Sequence, residues 1–280
     1  MVRKNNNSKG VTKKSNKRIN QMTEYTLITG ASAGIGYEMA ILLASKNHNL
    51  ILVARSQDKL EKLKNELKQQ FGIEVFYFLY DLSVPNSAQD LYHEVKKHNY
   101  LVSGLINNAG FGDYGNFVEM PLKKDEEMMA VNITALVGLT KLFGADMVKA
   151  GKGRIMNVAS ILSFLPFPYY SVYSATKSFV LAFTETVSAE LQETGVTLTA
   201  LCPGTVETAF HTDAMRKTNA MGANKPMSAA SVAKAGVELF LNGKDKKIVG
   251  FMNWFLGNLP RVTPDKLMMK IKKHLASIKK

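Results

Sequence analysis

The sequence predicts an α/β chain: a doubly wound parallel sheet of about seven strands with helices on both faces. Short apolar runs alternate with longer helical patterns from residue 24 onward. The turns after those runs hold glycine, asparagine and hydroxyl residues at the strand ends, where ligands bind in open α/β sheets. The 280 residues suffice for one large α/β domain or two small ones, and the 46% hydrophobic fraction is that of a globular protein.

In chain order, residues 25–28 read as a strand and 35–46 as a helix. A strand at 50–53 precedes a charged amphipathic helix at 56–70. Strands at 74–79 and 102–106 are separated by a helix at 86–98. One long helix is expected over 124–150. A strand at 154–158, a helix at 173–192 and a strand at 196–201 follow. The last strand falls at 247–249, and a final helix begins near 264. No run of eighteen uninterrupted apolar residues marks a transmembrane helix.

The net charge of +13 sits at the ends. Residues 1–22 carry +7 and residues 244–280 carry +8, which leaves −2 for 23–243. A near-neutral middle does not read as a nucleic-acid binder. Residues 1–22 are rich in Asn, Lys and Ser, lack apolar periodicity, and read as a disordered tail that is neither a secretory signal nor an amphipathic presequence. Met22 directly precedes the first strand, which places the expected start of the working protein there. The single cysteine, Cys202, excludes an intramolecular disulfide and reads as a small core residue. It fits a reducing, cytoplasmic compartment. None of the five histidines has zinc-like spacing, so no metal is assigned.

The strand ends carry the chemistry. After the first comes Thr29-Gly30-Ala31-Ser32-Ala33-Gly34-Ile35-Gly36. Its glycines permit a sharp turn and close approach, and the helix they open presents free N–H groups to a pyrophosphate. After the second come Ala54 and Arg55, where a carboxylate would mark NAD. An arginine there, with no adjacent acid, suits a 2′-phosphate, so NADP(H) is favoured over NAD(H). Arg55 as a solvated helix-start residue is the alternative. Asp81-Leu82, after the third strand, would reach the adenine amino group or cap the next turn. Asn107-Asn108-Ala109-Gly110 is a small-residue turn against the cofactor. Pro203-Gly204-Thr205-Val206-Glu207-Thr208 would run beside the nicotinamide, with Thr208 as a donor.

Between these lies a proton-transfer motif. Tyr173 and Lys177 are one helical turn apart, so they share a face. An ammonium beside a phenol favours the phenolate and lowers its pKa. Ser160, thirteen residues before the tyrosine, could hold a carbonyl oxygen between its hydroxyl and the phenol.

The ordered set T-G-x-x-x-G-x-G, N-N-A-G, a helical Asn, Ser, Y-x-x-x-K and P-G-x-x-x-T resembles the short-chain dehydrogenase/reductase superfamily over about residues 23–250. Within it, Val53-Ala54-Arg55, Asn107 to Gly110 and Asn157-Val158-Ala159-Ser160 look most like the DltE-type branch of uncharacterised oxidoreductases. The resemblance implies a Rossmann-type fold and a catalytic set of Asn132, Ser160, Tyr173 and Lys177. It implies a cofactor site of Gly30, Ser32, Ala33, Gly34, Ile35, Gly36, Arg55, Asp81, Leu82, Asn108, Ala109, Gly110, Pro203, Gly204, Val206 and Thr208, with Tyr173 and Lys177. Residues alone would leave Asn132 as a surface amide or a helix contact; the family uses it to anchor a water in a relay reaching Lys177.

The implied reaction is NADP(H)-dependent reduction of a carbonyl to an alcohol, or the reverse. A 3-oxoacyl thioester competes with a free ketone, steroid or aldehyde. A non-catalytic NADP-binding redox sensor is the alternative from another class, and the intact Ser160, Tyr173 and Lys177 oppose it. Met215, Met221 and Met227, in a segment placed for a lid, together with Phe164, Phe167, Tyr169 and Tyr170, point to a hydrophobic substrate. Residues 251–280 form a basic amphipathic extension. Its Leu267, Ile271, Leu275 and Ile278 share one helical face, which either packs on the fold or a second subunit or touches an anionic membrane weakly. A homodimer or homotetramer is expected.

Overall fold

The computed structural model describes residues 23–208, 210, 212–223 and 226–278. The basic stretch 1–22 and the expected start at Met22 lie outside the described residues. The first half alternates β1 Glu24–Thr29, α1 Gly34–Ala44, β2 Asn49–Ala54, α2 Gln57–Phe71, β3 Val75–Leu79, α3 Ser87–Lys97 and β4 Leu101–Asn107. Then come α4 Leu122–Met129, a π-helical turn Ala130–Ala135, α5 Leu136–Ala150, β5 Gly153–Val158, α6 Ser171–Glu190 and β6 Val196–Cys202. The remainder holds β7 Val206–Glu207, α7 Asp213–Arg216, α8 Asn219–Ala223, β8 Met227–Ser228, α9 Ala229–Asn242, β9 Lys246–Ile248, α10 Phe251–Asn258 and α11 Asp265–Ala276.

Seven parallel strands form one sheet in the order β3-β2-β1-β4-β5-β6-β9. The chain winds from β1 outward to β3, then returns to set β4 on the other side of β1. That reversal opens a crevice between the carboxyl ends of β1 and β4, at Thr29 and Asn107.

Both faces of the sheet are covered, which is why the strands read as unbroken apolar runs. Adjacent side chains divide between the faces: Ile28 and Leu52 join α1, α2 and α9, whereas Leu27 and Ile51 join α3 and α5. The helix α2 buries Leu60, Leu63 and Leu67 on one stripe and stops at Gly72, whose φ of 67° closes the C-terminus in the left-handed region. The apolar helical stretch 122–150 has the length and composition of a membrane span. Its Leu136, Leu139, Phe143 and Met147 are buried against the sheet, as in the core helix of a globular domain.

The long helix expected over 124–150 is therefore three pieces, with a π turn in the middle. The helix expected from 173 begins at Ser171. The helix α10 and the small β7–β8 pair carry no strong periodic signal, being eight and two residues long.

A buried polar chain fixes α5 and α6 against the sheet. Asn107 Nδ2 donates to Asn157 Oδ1 at 2.9 Å and to Thr140 Oγ1 at 3.0 Å. Asn157 Nδ2 donates to Thr184 Oγ1 at 2.9 Å. Removing one member strands its partners without water. Asn157→Ala is expected to lower unfolding free energy by about 1–3 kcal/mol. Urea unfolding followed by circular dichroism reads this as a lower midpoint at unchanged slope; an unchanged midpoint would contradict the role of the chain.

Candidate active site

Two turns lock together at the switch point. Thr29 Oγ1 accepts from the backbone N–H groups of Asn108 and Ala109, both at 3.0 Å. Asn108 Nδ2 donates back to the carbonyls of Thr29 and Gly30, at 3.0 and 3.3 Å. Gly30 and Gly34 have φ of 67° and 59°. A Cβ on Gly36 would stand 2.5 Å from both the Gly30 carbonyl oxygen and Asn108 Nδ2. No larger residue fits there without opening the turn. Ala33 caps α1 without any side-chain hydrogen bond, so the first N–H groups of the helix meet no side-chain acceptor and face the crevice side of the turn. Thr208 lies across the same turn: its Cγ2 is 3.1 Å from where a Gly34 Cβ would be. This cradle fits the pyrophosphate of a dinucleotide.

Asn108 was expected among the cofactor contacts. Its amide is taken up by the two carbonyls, so its side chain shapes the turn. Leu82 is likewise a packing residue, buried in the core beside Val53 and Ala88. Asp81 accepts from Ser83 N at 3.0 Å and Ser83 Oγ at 2.7 Å, and those bonds, more than Arg55, hold its carboxyl below the usual carboxylate range. The sequence shows no acid adjacent to Arg55, yet folding brings Asp81 Oδ2 within 3.8 Å of Arg55 Nη1. Both side chains are exposed, and such a pair is worth less than about 1 kcal/mol, so the guanidinium is free to move to a phosphate.

Across the crevice, β5, α6 and the π turn assemble four side chains. Ser160 lies two residues past the end of β5; its Oγ accepts from Leu162 N at 3.1 Å, and its hydroxyl is near enough to the Tyr173 phenol to favour the ionised form. Ser163 Oγ accepts from Ser160 N at 3.3 Å and donates to the Lys177 carbonyl at 2.7 Å, which ties the β5 end to α6. Lys177 Nζ donates to the Val158 carbonyl at 2.8 Å. Asn132 sits in the π turn, a wider turn that often marks functional positions. It is wholly buried: Nδ2 donates to the Phe111 carbonyl at 2.9 Å and Thr176 Oγ1 at 3.0 Å, and Oδ1 accepts from Phe111 N at 3.1 Å. Its amide thereby joins the segment that follows Gly110 to α6.

A short chain dehydrogenase family model matches residues 24–219. The chain belongs to the short-chain dehydrogenase family. It is 33% identical over 244 residues to a very-long-chain 3-oxoacyl-CoA reductase of Pyrenophora tritici-repentis, covering 83% of this chain and 70% of that one. A short-chain dehydrogenase from Sphingobium yanoikuyae, solved in complex with NADPH, superposes with a TM-score of 0.73 at 26% identity over 86% of this chain and 97% of that one. A bulky-bulky ketone specific alcohol dehydrogenase from Comamonas testosteroni gives 0.72 at 26% identity, over 86% and 92%.

As a short-chain dehydrogenase, the chain is an oxidoreductase of a family that binds a nicotinamide cofactor. Several residues around the site escaped the sequence reading. Thr29 was only the first letter of a motif, yet it anchors both turns. Thr176 and Ser163 have no spacing signature. Phe210 packs on Tyr173 with ring centroids 5.5 Å apart. Of the residues expected at the substrate, Tyr170 and Met215 are buried with Tyr173 and Met128, with Phe167 packed against them. Phe164 packs instead with Val180 and Ala200 under α6. Met227 belongs to β8 and packs toward α1 and α9. A recess beside Tyr173 is lined by Asp113, Phe117, Met120, Met128 and Tyr170.

Lys177 was expected to hold the Tyr173 phenol low. Burial dominates instead. It pushes Tyr173 up to about 12, opposed only by the nearby Ser160 hydroxyl, and pushes Lys177 down to about 8. The Lys177 Nζ faces the Val158 carbonyl and stands 5.9 Å from the Tyr173 ring centre. Because the folded value for Lys177 lies below that of an unfolded lysine, its burial costs stability in full below about pH 8. The cost fades as pH rises from there toward the ordinary lysine value. Relative to Lys177→Met, the wild-type protein is expected to gain about 2 kcal/mol between pH 8 and about pH 10. Urea unfolding of both proteins across that range measures it, and a constant difference would show that Lys177 is not desolvated.

Proposed function

We propose that this short-chain dehydrogenase is an NADP(H)-dependent reductase of an apolar carbonyl compound, with Tyr173 as the proton donor. One observation carries the reading: Ser160, Tyr173 and Lys177 are buried together beside the Asn107–Gly110 turn, with Lys177 Nζ 3.4 Å from where a Gly110 Cβ would stand and the Tyr173 ring against Gly112. The cofactor, when bound, supplies or accepts the hydride. A carbonyl oxygen that enters between the two hydroxyls accepts from both. Ser160 then orients the oxygen, and Tyr173 gives it a proton as the carbonyl carbon is reduced. Tyr173 is protonated at neutral pH and its proton goes to the oxygen, leaving a phenolate. Lys177, one turn along α6, stabilises that phenolate as an ammonium, then passes it a proton and takes up one from solvent in its place. Asn132 acts at one remove: by fastening Phe111 and Thr176 it sets the position of Gly110 and of α6.

Arg55 supports NADP(H), as does the NADPH complex of the Sphingobium relative. Phe117, Met120, Met128, Tyr169 and Tyr170 in the recess lining support an apolar substrate group, beside the carboxylates of Asp113 and Asp125. The names of the Pyrenophora and Comamonas relatives favour a 3-oxoacyl thioester or a bulky ketone. Against a redox sensor without turnover, a sensor needs neither the Ser160–Tyr173 pair nor a desolvated lysine.

Tyr173→Phe is expected to keep NADPH binding and lose turnover by about 10²–10⁴-fold. Calorimetry and carbonyl-dependent NADPH oxidation separate the two, and undiminished oxidation would refute the assignment. Arg55→Ala is expected to weaken NADPH by about ten- to a hundredfold and leave NADH nearly unchanged. Equal losses for both would place the 2′-phosphate contact elsewhere.

A further inference from the structure

The expected membrane-touching face, on the last helix, is used within the fold only in part, since Leu267 and Ile278 are exposed. Met268 and Ala276 of α11 are buried, Ile271 and Leu275 are half-buried, and the helix packs against α8. Its end is stitched to the site: Tyr114 Oη donates to the Ala276 carbonyl at 2.8 Å, and Asn219 Nδ2 to the His274 carbonyl at 2.9 Å. A denser exposed apolar cluster lies one helix earlier. On α10, Phe251 is 78% exposed, Met252 54%, Trp254 52% and Phe255 50%. The Phe251 and Trp254 rings stack on each other, 6.0 Å apart. The opposite side of α10 is anchored: Asn253 is buried against the Pro203-Gly204 turn, 2.3 Å from where a Gly204 Cβ would stand.

Four large apolar side chains that are half or more in water, on one short helix, are costly unless covered. The charge nearby selects the cover. Arg261, Lys266, Lys270 and Lys273 follow α10 and are exposed, with Asp265 the one acid between residues 251 and 278. Residues 244–280 carry +8 and the chain +13. A second copy would bring the same positive segment against this one, whereas an anionic bilayer complements it. Aromatic side chains beside Lys and Arg are the composition of an interfacial helix.

We propose that the exposed face of α10 docks on an anionic lipid surface. Through Asn253 and the α8–α11 contacts, docking sets the nicotinamide-side turn and the segment over the substrate recess close to the bilayer. An apolar substrate then reaches Tyr173 from lipid rather than from bulk water. The docking itself does not depend on the reductase reading.

Trp254 is the sole tryptophan of the chain, so intrinsic fluorescence reports on α10 alone. The full chain is titrated with phosphatidylcholine vesicles and with vesicles containing phosphatidylserine. The phosphatidylserine vesicles are expected to shift Trp254 emission to the blue, reversibly with salt. Brominated acyl chains are expected to quench it. In co-sedimentation, Phe251→Ser/Phe255→Ser is expected to bind such vesicles at least about tenfold more weakly, with unchanged thermal unfolding. No emission shift on phosphatidylserine vesicles would overturn the proposal. So would equal sedimentation of the variant, which would assign vesicle binding to the basic segments alone. A blue shift that grows with protein concentration in the absence of lipid would also overturn it, and would make the face a contact between copies.

Discussion

The structure depends on burying ionisable and hydrogen-bonding side chains where a parallel sheet ends. Asn132, Tyr173 and Lys177 are each less than a tenth exposed, in a part of the protein where an unpaired polar group is expensive. Lys177 donates to the Val158 carbonyl, and Asn132 is held by three hydrogen bonds. The surrounding elements are arranged to satisfy these groups. The β5 end turns through a Ser160–Ser163 capping box, α6 runs past it, and the helix opposite widens into a π turn at Asn132. The same burial sets the chemistry, since it keeps Tyr173 protonated and makes Lys177 a weaker base than a surface lysine.

A second constraint is the close approach of the two turns at the switch point. Thr29, Asn108 and Gly36 interlock so that the backbone of β1 and β4 lies flat beneath the glycine turn. The glycines are needed because the neighbouring backbone leaves no room for a Cβ, and Asn108 is needed because two carbonyls require a donor. A substitution at Gly36 would push apart the two turns that Asn108 ties together.

Much of this was legible in the sequence because the relevant signals are local. The β-α alternation gave the sheet, and the glycine turn and N-N-A-G marked the two strand ends that folding locks together. What escaped depends on contacts between distant segments. Thr29 and Thr176 look like ordinary threonines until folding places them beside Ala109 and Asn132. Asp81 reaches Arg55 only because β2 and β3 are neighbours. The direction of the Tyr173 shift could not be read from a Tyr–Lys spacing, since burial outweighs the ammonium. The exposed face of α10 is eight residues long, too short for periodicity to separate a packed helix from an open one.

The central claim is that the Ser160–Tyr173 pair serves hydride transfer to a carbonyl carbon. Its most direct test uses NADPH carrying deuterium at the transferring position of the nicotinamide. The protein is incubated with this cofactor and a panel of bulky ketones and 3-oxoacyl thioesters, and the products are weighed by mass spectrometry. The account predicts an alcohol that has gained one deuterium on the former carbonyl carbon. Bound cofactor with no labelled product from any member of the panel would contradict it.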